Sequence, residues 1–189
     1  MWDCTVPMIG LAMKVDTLEH IPVFELPSRY GWRYFQPGDE RRWAEIEMSA
    51  GEFKTPEEGL KGFRRYYPTD EHLDQRMIFL TDNGVPFSTA TAWFGSMGPQ
   101  DRMGWLHWVS VDDVHQGQGL SKVVVSLAMH RIRELGHCCA GLSTQTASWV
   151  AIKVYHQFGF KPQINDPAQI EGWKIVSDKT GIDFMKEIQ

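Results

Sequence analysis

A strand, a turn with two glycines and an amphipathic helix follow one another between residues 105 and 135. Residues 105–111 (WLHWVSV) are mostly aromatic and β-branched, which predicts a strand. The turn contains residues 116–121 (QGQGLS), and beyond it apolar residues recur at helical spacing as far as Gly136. Unpaired amides in the first turn of a helix bind anions, and glycine lets a phosphate approach the backbone. The pattern therefore predicts a phosphate site where the strand meets the helix.

The spacing of the glycines excludes two stronger phosphate-binding motifs. No Lys-Ser or Lys-Thr pair follows a G-x-x-x-x-G segment, and no third glycine completes G-x-G-x-x-G. A dinucleotide enzyme is also disfavoured because no acidic partner for a ribose is evident. The residues leave two interpretations open: a phosphate held by backbone amides, or a tight strand-to-helix connection without a ligand.

The rest of the chain carries further strand and helix patterns. Asn83-Gly84 predicts a hairpin, Thr55 predicts a helix start, and Asp39 and Ser148 are predicted N-caps. The polar loop over residues 95–104 predicts antiparallel pairing of the strands on either side. Further strands are predicted over residues 30–35, 77–80, 87–94, 138–144 and 173–176, and helices over 40–50 (buried stripe Trp43, Ile46, Ala50), 56–67 and 149–158.

Two segments in this order resemble the GNAT superfamily of acyl-CoA-dependent N-acyltransferases. The glycine turn is similar to the family signature Q/R-x-x-G-x-G/A, with Ser121 at the last small position. Residues 151–160 (AIKVYHQFGF) are similar to the family segment A-I-x-L-Y-x-x-x-G-F, with Ser148 where the family usually has asparagine. The resemblance covers roughly residues 30–176.

The resemblance implies an α/β (α+β) GNAT fold. We expect a mixed, mostly antiparallel sheet that is splayed between its fourth and fifth strands, with helices on both faces. Residues 1–27 are expected to form an N-terminal arm packed on the domain, and residues 28–189 a single acetyltransferase domain.

Two residues are candidates for catalysis. Tyr155 matches the tyrosine that many GNAT enzymes use as an acid, and a phenol with a pKa of roughly 10 suits a departing thiolate. His107 is the candidate base, with an expected pKa of roughly 6.5. It falls on the second histidine of the H-x-H-x-x-x-V strand of the arylalkylamine acetyltransferase branch, and Trp105 replaces the first. The alternatives are a core tyrosine and a strand histidine that bonds a neighbour.

The resemblance also implies a binding site for coenzyme A. The backbone of residues 109–111 is expected to pair with the pantetheine arm, and the amides of residues 117–121 to hold the pyrophosphate. Gln116 and Gln118 either add contacts or face solvent, and Thr144 and Gln145 are possible rim residues. The predicted cofactor-binding residues are Val109, Ser110, Val111, Gln116, Gly117, Gln118, Gly119, Leu120, Ser121, Thr144 and Ser148.

Composition narrows the function classes. A chain of 189 residues with 42% hydrophobic content suits one domain, and no apolar run is long enough to cross a membrane. A net charge of −5 without a basic block disfavours nucleic-acid binding. Three cysteines, without zinc-ligand spacing or a signal peptide before them, indicate a reducing cytoplasm and no metal.

We therefore expect an enzyme that moves an acetyl or short acyl group from acetyl-CoA directly to a primary amine. The 8 tryptophans and 10 phenylalanines favour an aromatic small-molecule acceptor; a protein N-terminus or a lysine is the alternative. A non-catalytic acyl-CoA-binding module is a further alternative, and the N-terminal arm could serve in a homodimer.

Overall fold

The computed structural model describes residues 2–95 and 102–188. Most of the predicted loop over residues 95–104 lies outside the described residues. The strands are β1 Gly10–Val15, β2 Tyr30–Tyr34, β3 Met77–Asp82, β4 Val85–Phe94, β5 Met103–Val111, β6 Cys139–Gln145 and β7 Lys161–Gln163. The helices are α1 Glu40–Ala50, α2 Pro56–Tyr66, α3 Leu73–Arg76, α4 Leu120–Glu134, α5 Trp149–Gln157 and α6 Ala168–Thr180.

The described strands form one sheet in the order β2-β3-β4-β5-β6-β1-β7. All neighbours pair antiparallel except β5 and β6, which run parallel and pair only from Met103–Cys139 to Trp105–Gly141. Counted from Tyr30, these are the fourth and fifth strands. The predicted mixed sheet with a splay at this position is confirmed.

A bulge in β5 lies beside this fork. Thr89 pairs with Ser110 and Thr91 with His107, so two residues of β5 oppose Ala90 alone. One of the two, Trp108, has a φ of 48°, which is unusual for a residue with a side chain. The bulge therefore interrupts the pairing of β5 with β4 just beyond Trp105, the last residue of β5 that pairs with β6.

The sheet buries a separate core on each face. Side chains alternate along β3, so that Ile78 and Leu80 join the core that contains α4, while Met77 and Phe79 join the core under α1 and α2. This arrangement confirms the prediction of helices on both faces.

Local signals in the sequence account for several element boundaries. Thr55 Oγ1 accepts a hydrogen bond from the Glu58 amide at 3.2 Å, as a helix cap does, and α2 begins there. Asn83 and Gly84 both have positive φ, and they join β3 to β4 as predicted. Asp39 caps no helix amide; its carboxylate bonds Arg33 and the Gln36 amide instead.

The predicted strand over residues 173–176 is wrong, because these residues lie inside α6. Trp173 and Val176 are both buried, and their spacing of three fits one face of a helix. An apolar window of four residues does not distinguish a strand from a buried helix turn.

The N-terminal segment contributes to the sheet. Strand β1 runs antiparallel to β6, from Gly10–Gln145 to Val15–Ala140, and pairs with β7 on its other side. The boundary between an arm and a domain at residue 27 stays a prediction. In the described residues, no helix has the length and apolarity needed to cross a membrane.

Candidate active site

A cavity of about 590 Å³ opens where β5 and β6 separate. Its walls come mainly from β5, the glycine turn, the start of α4, the end of β6, α5 and two residues of α1, Glu47 and Ala50. Every predicted site residue except Gln118 lines this cavity: Tyr155, His107, Val109, Ser110, Val111, Gln116, Gly117, Gly119, Leu120, Ser121, Thr144 and Ser148.

The glycine turn presents unused amides to the cavity. Gly117 and Gly119 have φ of 77° and 78°, a conformation that residues with a side chain rarely adopt. Within the described residues, the amides of residues 117–121 make no hydrogen bond, and the first amide of this helix to find an acceptor is that of Lys122, which donates to Gly119 at 3.1 Å. A phosphate needs several converging N–H donors, so the turn fits the pyrophosphate of coenzyme A.

The two glutamines of the turn differ in their surroundings. Gln116 lines the cavity, and its side-chain amide donates to the Val111 carbonyl at 2.9 Å, which ties the turn to the end of β5. Gln118 accepts a hydrogen bond from the Tyr30 hydroxyl at 3.0 Å and does not line the cavity. Its side chain stabilises the turn from outside the cavity.

The predicted pantetheine and rim residues meet at the same cavity. The Ser110 carbonyl already accepts from Ser88 Oγ at 2.8 Å, so pairing with a pantetheine arm would use the remaining backbone groups. At the rim, Gln145 Nε2 donates to Ser148 Oγ at 3.0 Å beside Thr144. Ser148 thus bonds a neighbouring side chain and caps no helix amide.

Tyr155 lies on α5 with its side chain turned to the cavity. The residue is 8% exposed, and its hydroxyl makes no hydrogen bond within the described residues. Burial, together with the nearby carboxyl groups of Glu47 and Glu52, raises the pKa of this phenol well above its ordinary value. Tyr155 therefore keeps its proton and can only donate it in a hydrogen bond or to a stronger base.

His107 also lines the cavity, but its expected pKa of about 6.5 is wrong. Burial lowers the pKa of the ring to about 4. Its Nδ1 lies 3.1 Å from the Tyr67 hydroxyl, which itself donates to Thr91 Oγ1 at 3.2 Å. When the Tyr67 hydroxyl donates to Thr91, only the tautomer with the proton on Nδ1 can bond Tyr67, and Nε2 is then the acceptor. A role for His107 as the base stays a prediction.

Sequence reasoning missed Glu47, which α1 carries into the cavity. The residue is fully buried; its Oε2 accepts from Ser110 Oγ at 2.6 Å, and its Oε1 has no partner among the described residues. Burial raises the pKa of the carboxyl group to about 8. The signal was its spacing: Glu47 is four residues after Trp43 and adjoins Ile46, so it falls on the buried stripe.

A second carboxylate lies at the same end of the cavity. Glu52 accepts a hydrogen bond from Trp2 Nε1 at 3.2 Å, and burial raises its pKa. The rings of Tyr66 and Trp108, 4.9 Å apart between centroids, also line this end. Among the described residues, no group of three His, Cys, Asp or Glu side chains could hold a metal ion.

The similarity of the chain to known proteins shows its family. The model of the acetyltransferase (GNAT) family matches residues 40–160. A GCN5-related N-acetyltransferase from Sphaerobacter thermophilus superposes with a TM-score of 0.61 at 20% identity, over 82% of this chain and 48% of that one. A GCN5-related N-acetyltransferase from Kribbella flavida gives 0.55 at 19%, over 83% and 55%.

A third structure is yncA from Salmonella typhimurium, described as an acetyltransferase and solved with its cofactor acetyl-CoA. It gives a TM-score of 0.56 at 19% identity, over 71% of this chain and 80% of that one. The chain spans about half the length of the first two structures. No curated protein matches it. Because the family model matches well over half of the chain, and these structures share its fold, the chain belongs to the GNAT acetyltransferase family.

Proposed function

We propose that the protein is an N-acetyltransferase that moves an acetyl group from acetyl-CoA directly to a primary amine on a small molecule. The observation that carries the proposal is the continuity of one cavity, which runs from the unpaired amides of residues 117–121 to the Tyr155 side chain. A ligand with an anionic tail and a reactive thioester end needs both features in one space.

The chain's own groups would bind the cofactor without a metal. The amides of the turn hold the pyrophosphate, and the edge of β5 at residues 109–111 holds the pantetheine arm where β6 has moved away. Bound acetyl-CoA supplies a thioester whose carbonyl carbon the amine attacks. Ser148 and Thr144 contact the cofactor at the rim.

Tyr155 is the proposed acid. Its raised pKa keeps the phenol protonated, so the hydroxyl donates a hydrogen bond to the sulfur as the C–S bond breaks and passes its proton on only as a proton from the nitrogen replaces it. The acetyl group passes straight to the amine, because no cysteine is among the described lining residues of the cavity. Cys138 is exposed and lies outside the cavity.

The proposal extends to the setting of the protein. The cysteines described are free thiols, as expected in the cytoplasm, and the net charge of −5 gives no attraction to nucleic acid or to an anionic membrane surface. The proposal includes assembly as a homodimer, which light scattering tests.

The test combines coenzyme A binding with turnover. Calorimetry is expected to give a dissociation constant of about micromolar size for coenzyme A and none for NAD. Thiol release from acetyl-CoA over a panel of amines, with mass detection of the product, identifies the acceptor. Binding without turnover on any amine would instead indicate an acyl-CoA-binding module, and failure to bind at millimolar coenzyme A would refute the proposal.

A further inference from the structure

Two parts of the cavity wall differ in polarity. At the glycine turn, the wall contains Gly117, Gly119, Leu120 and Ser121, whose amides carry partial positive charge and have no acceptor among the described residues. The other part contains Glu47 and Glu52. Among the described lining residues there is no lysine or arginine to neutralise these carboxyl groups.

The carboxyl group of Glu47 is held in place but only half satisfied. Ser110 Oγ bonds one oxygen, while the other is buried with no partner among the described residues. A buried, unpaired carboxyl oxygen is costly, and such groups in native proteins usually have a ligand or a catalytic role. Glu47 also lines the same cavity as Tyr155, and its charge adds to the effect of burial in raising the pKa of that phenol.

Trp2, Tyr66 and Trp108 line the same cavity as the two carboxyl groups. Tyr66 and Trp108 meet edge to face at 4.9 Å, Trp108 stacks on Phe53 at 5.7 Å, and Trp2 bonds Glu52. Aromatic faces stabilise an organic cation and its apolar body, and carboxylates supply the counter-charge.

We propose that this part of the cavity binds a primary ammonium ion joined to an apolar or aromatic body and lacking a carboxylate, and that the free Oε1 of Glu47 receives its N–H. The inference rests on the proposed function, for which it names the class of acceptor. A carboxylate beside the amine would lie against two like charges without a basic side chain to offset them, so α-amino acids are excluded.

Glu47 is also the group that takes the proton, because the positive charge of an ammonium ion bound beside it favours the ionised form of its carboxyl group. The ammonium gives one proton to Glu47, the freed nitrogen lone pair forms the C–N bond, and the C–S bond breaks. Tyr155 passes its proton to the departing sulfur as the second nitrogen proton replaces it, so that no phenolate forms. His107 is less suited to this role, because its ring binds Tyr67 through Nδ1 and is hard to protonate where it is buried.

Three ligands with the same phenyl body separate charge from shape. 2-Phenylethylamine is a cation, 2-phenylethanol is neutral, and phenylalanine adds a carboxylate. Calorimetry on the protein saturated with coenzyme A is expected to show the amine binding about tenfold or more tightly than either of the others, since a charge-assisted hydrogen bond is gained only there. Hexylamine extends the test to an aliphatic body.

Glu47→Gln tests the residue. The variant keeps an acceptor for Ser110 and is expected to lose about tenfold or more in affinity for the amines, with 2-phenylethanol unaffected. Glu45→Gln, a partly exposed residue on the same helix, is the matched control and is expected to leave each affinity within about twofold.

Three results would overturn the inference: equal binding of phenylalanine or the alcohol, no binding by any primary amine, or unchanged amine affinity in Glu47→Gln. Coenzyme A binding is measured separately on each protein. If coenzyme A does not bind, the proposed function fails; ligand binding to the protein alone then still decides the cation site.

Discussion

Replacing Glu47 by glutamine is expected to change how the stability of the protein depends on pH. The side chain is fully buried, and burial raises the pKa of its carboxyl group from 4.5 to about 8. Between these values the folded protein holds a proton that the unfolded chain has lost. The contribution of Glu47 to stability is therefore complete below pH 4.5 and declines as the pH rises towards 8.

The size of the effect follows from the two pKa values. Relative to its acid limit, the free energy of unfolding is lowered by about 0.8 kcal/mol at pH 5 and about 3.3 kcal/mol at pH 7. Glutamine is neutral throughout and still accepts the hydrogen bond from Ser110. The stability of Glu47→Gln relative to wild type should therefore increase by about 2.5 kcal/mol from pH 5 to pH 7.

Urea unfolding at several pH values measures this difference directly. Other groups titrate in the same range; His107, with its pKa lowered by burial, adds stability as the pH rises, but it is present in both proteins and cancels in the comparison. Glu45→Gln is the control. The side chain of Glu45 is 33% exposed, so the stability of this variant relative to wild type is expected to show no such increase from pH 5 to pH 7. A wild-type-to-variant difference that stays constant within about 0.5 kcal/mol from pH 5 to pH 7 would refute the reasoning about Glu47.

Three further substitutions test other parts of the structure. Tyr155→Phe is expected to lower kcat about 100-fold in the thiol-release assay with coenzyme A affinity unchanged, and a kcat within about twofold of wild type would remove the phenol from the mechanism. Gly59→Ala places a β-carbon 2.7 Å from the β-carbon of Ala44, so the free energy of unfolding in urea is expected to fall by about 1–3 kcal/mol. Gly10→Ala is the control: a β-carbon there meets nothing within 4 Å, and the free energy of unfolding should change by less than about 0.5 kcal/mol. Thr55→Ala removes a helix cap and is expected to cost about 1 kcal/mol by the same measurement, whereas an unchanged unfolding midpoint would show that the cap adds nothing.

The features that the sequence predicted correctly are those set by local chemistry. The cap at Thr55, the Asn83-Gly84 hairpin and the glycine turn before α4 each depend on the dihedral angles or hydrogen bonds of a few adjacent residues. The alternation of side chains in the strands likewise follows from the residues themselves. These signals fix the order of the elements and the position of the turn at the cavity.

The features that the sequence did not predict depend on what packs against a residue. Glutamate is usually a surface residue, yet Glu47 lies on the buried stripe of α1. Its carboxyl group lines the cavity only because this helix packs on β5, where Ser110 bonds it. The pKa of His107 depends on burial beside Tyr66 and Tyr67, which lie about 40 residues earlier in the chain. The strand predicted at residues 173–176 lies in α6, because a window of four residues is too short to show whether the apolar pattern has the period of a strand or of a helix.

Ser110 joins the two halves of the cavity. Its backbone lies in the stretch of β5 proposed to hold the pantetheine arm, and its hydroxyl fixes the carboxyl group proposed to receive the amine. Strand β6 pairs with β5 only as far as Trp105, so this edge of β5 is left open over the bulge at Trp108 and over Ser110, where both ligands can reach it. An anionic cofactor and a cationic acceptor placed this way are attracted to different parts of a single cavity, and their reactive groups can meet only between them, beside Tyr155. The polarity of the cavity therefore directs each substrate to its own part of the wall, and Tyr155 is the residue at which the two meet.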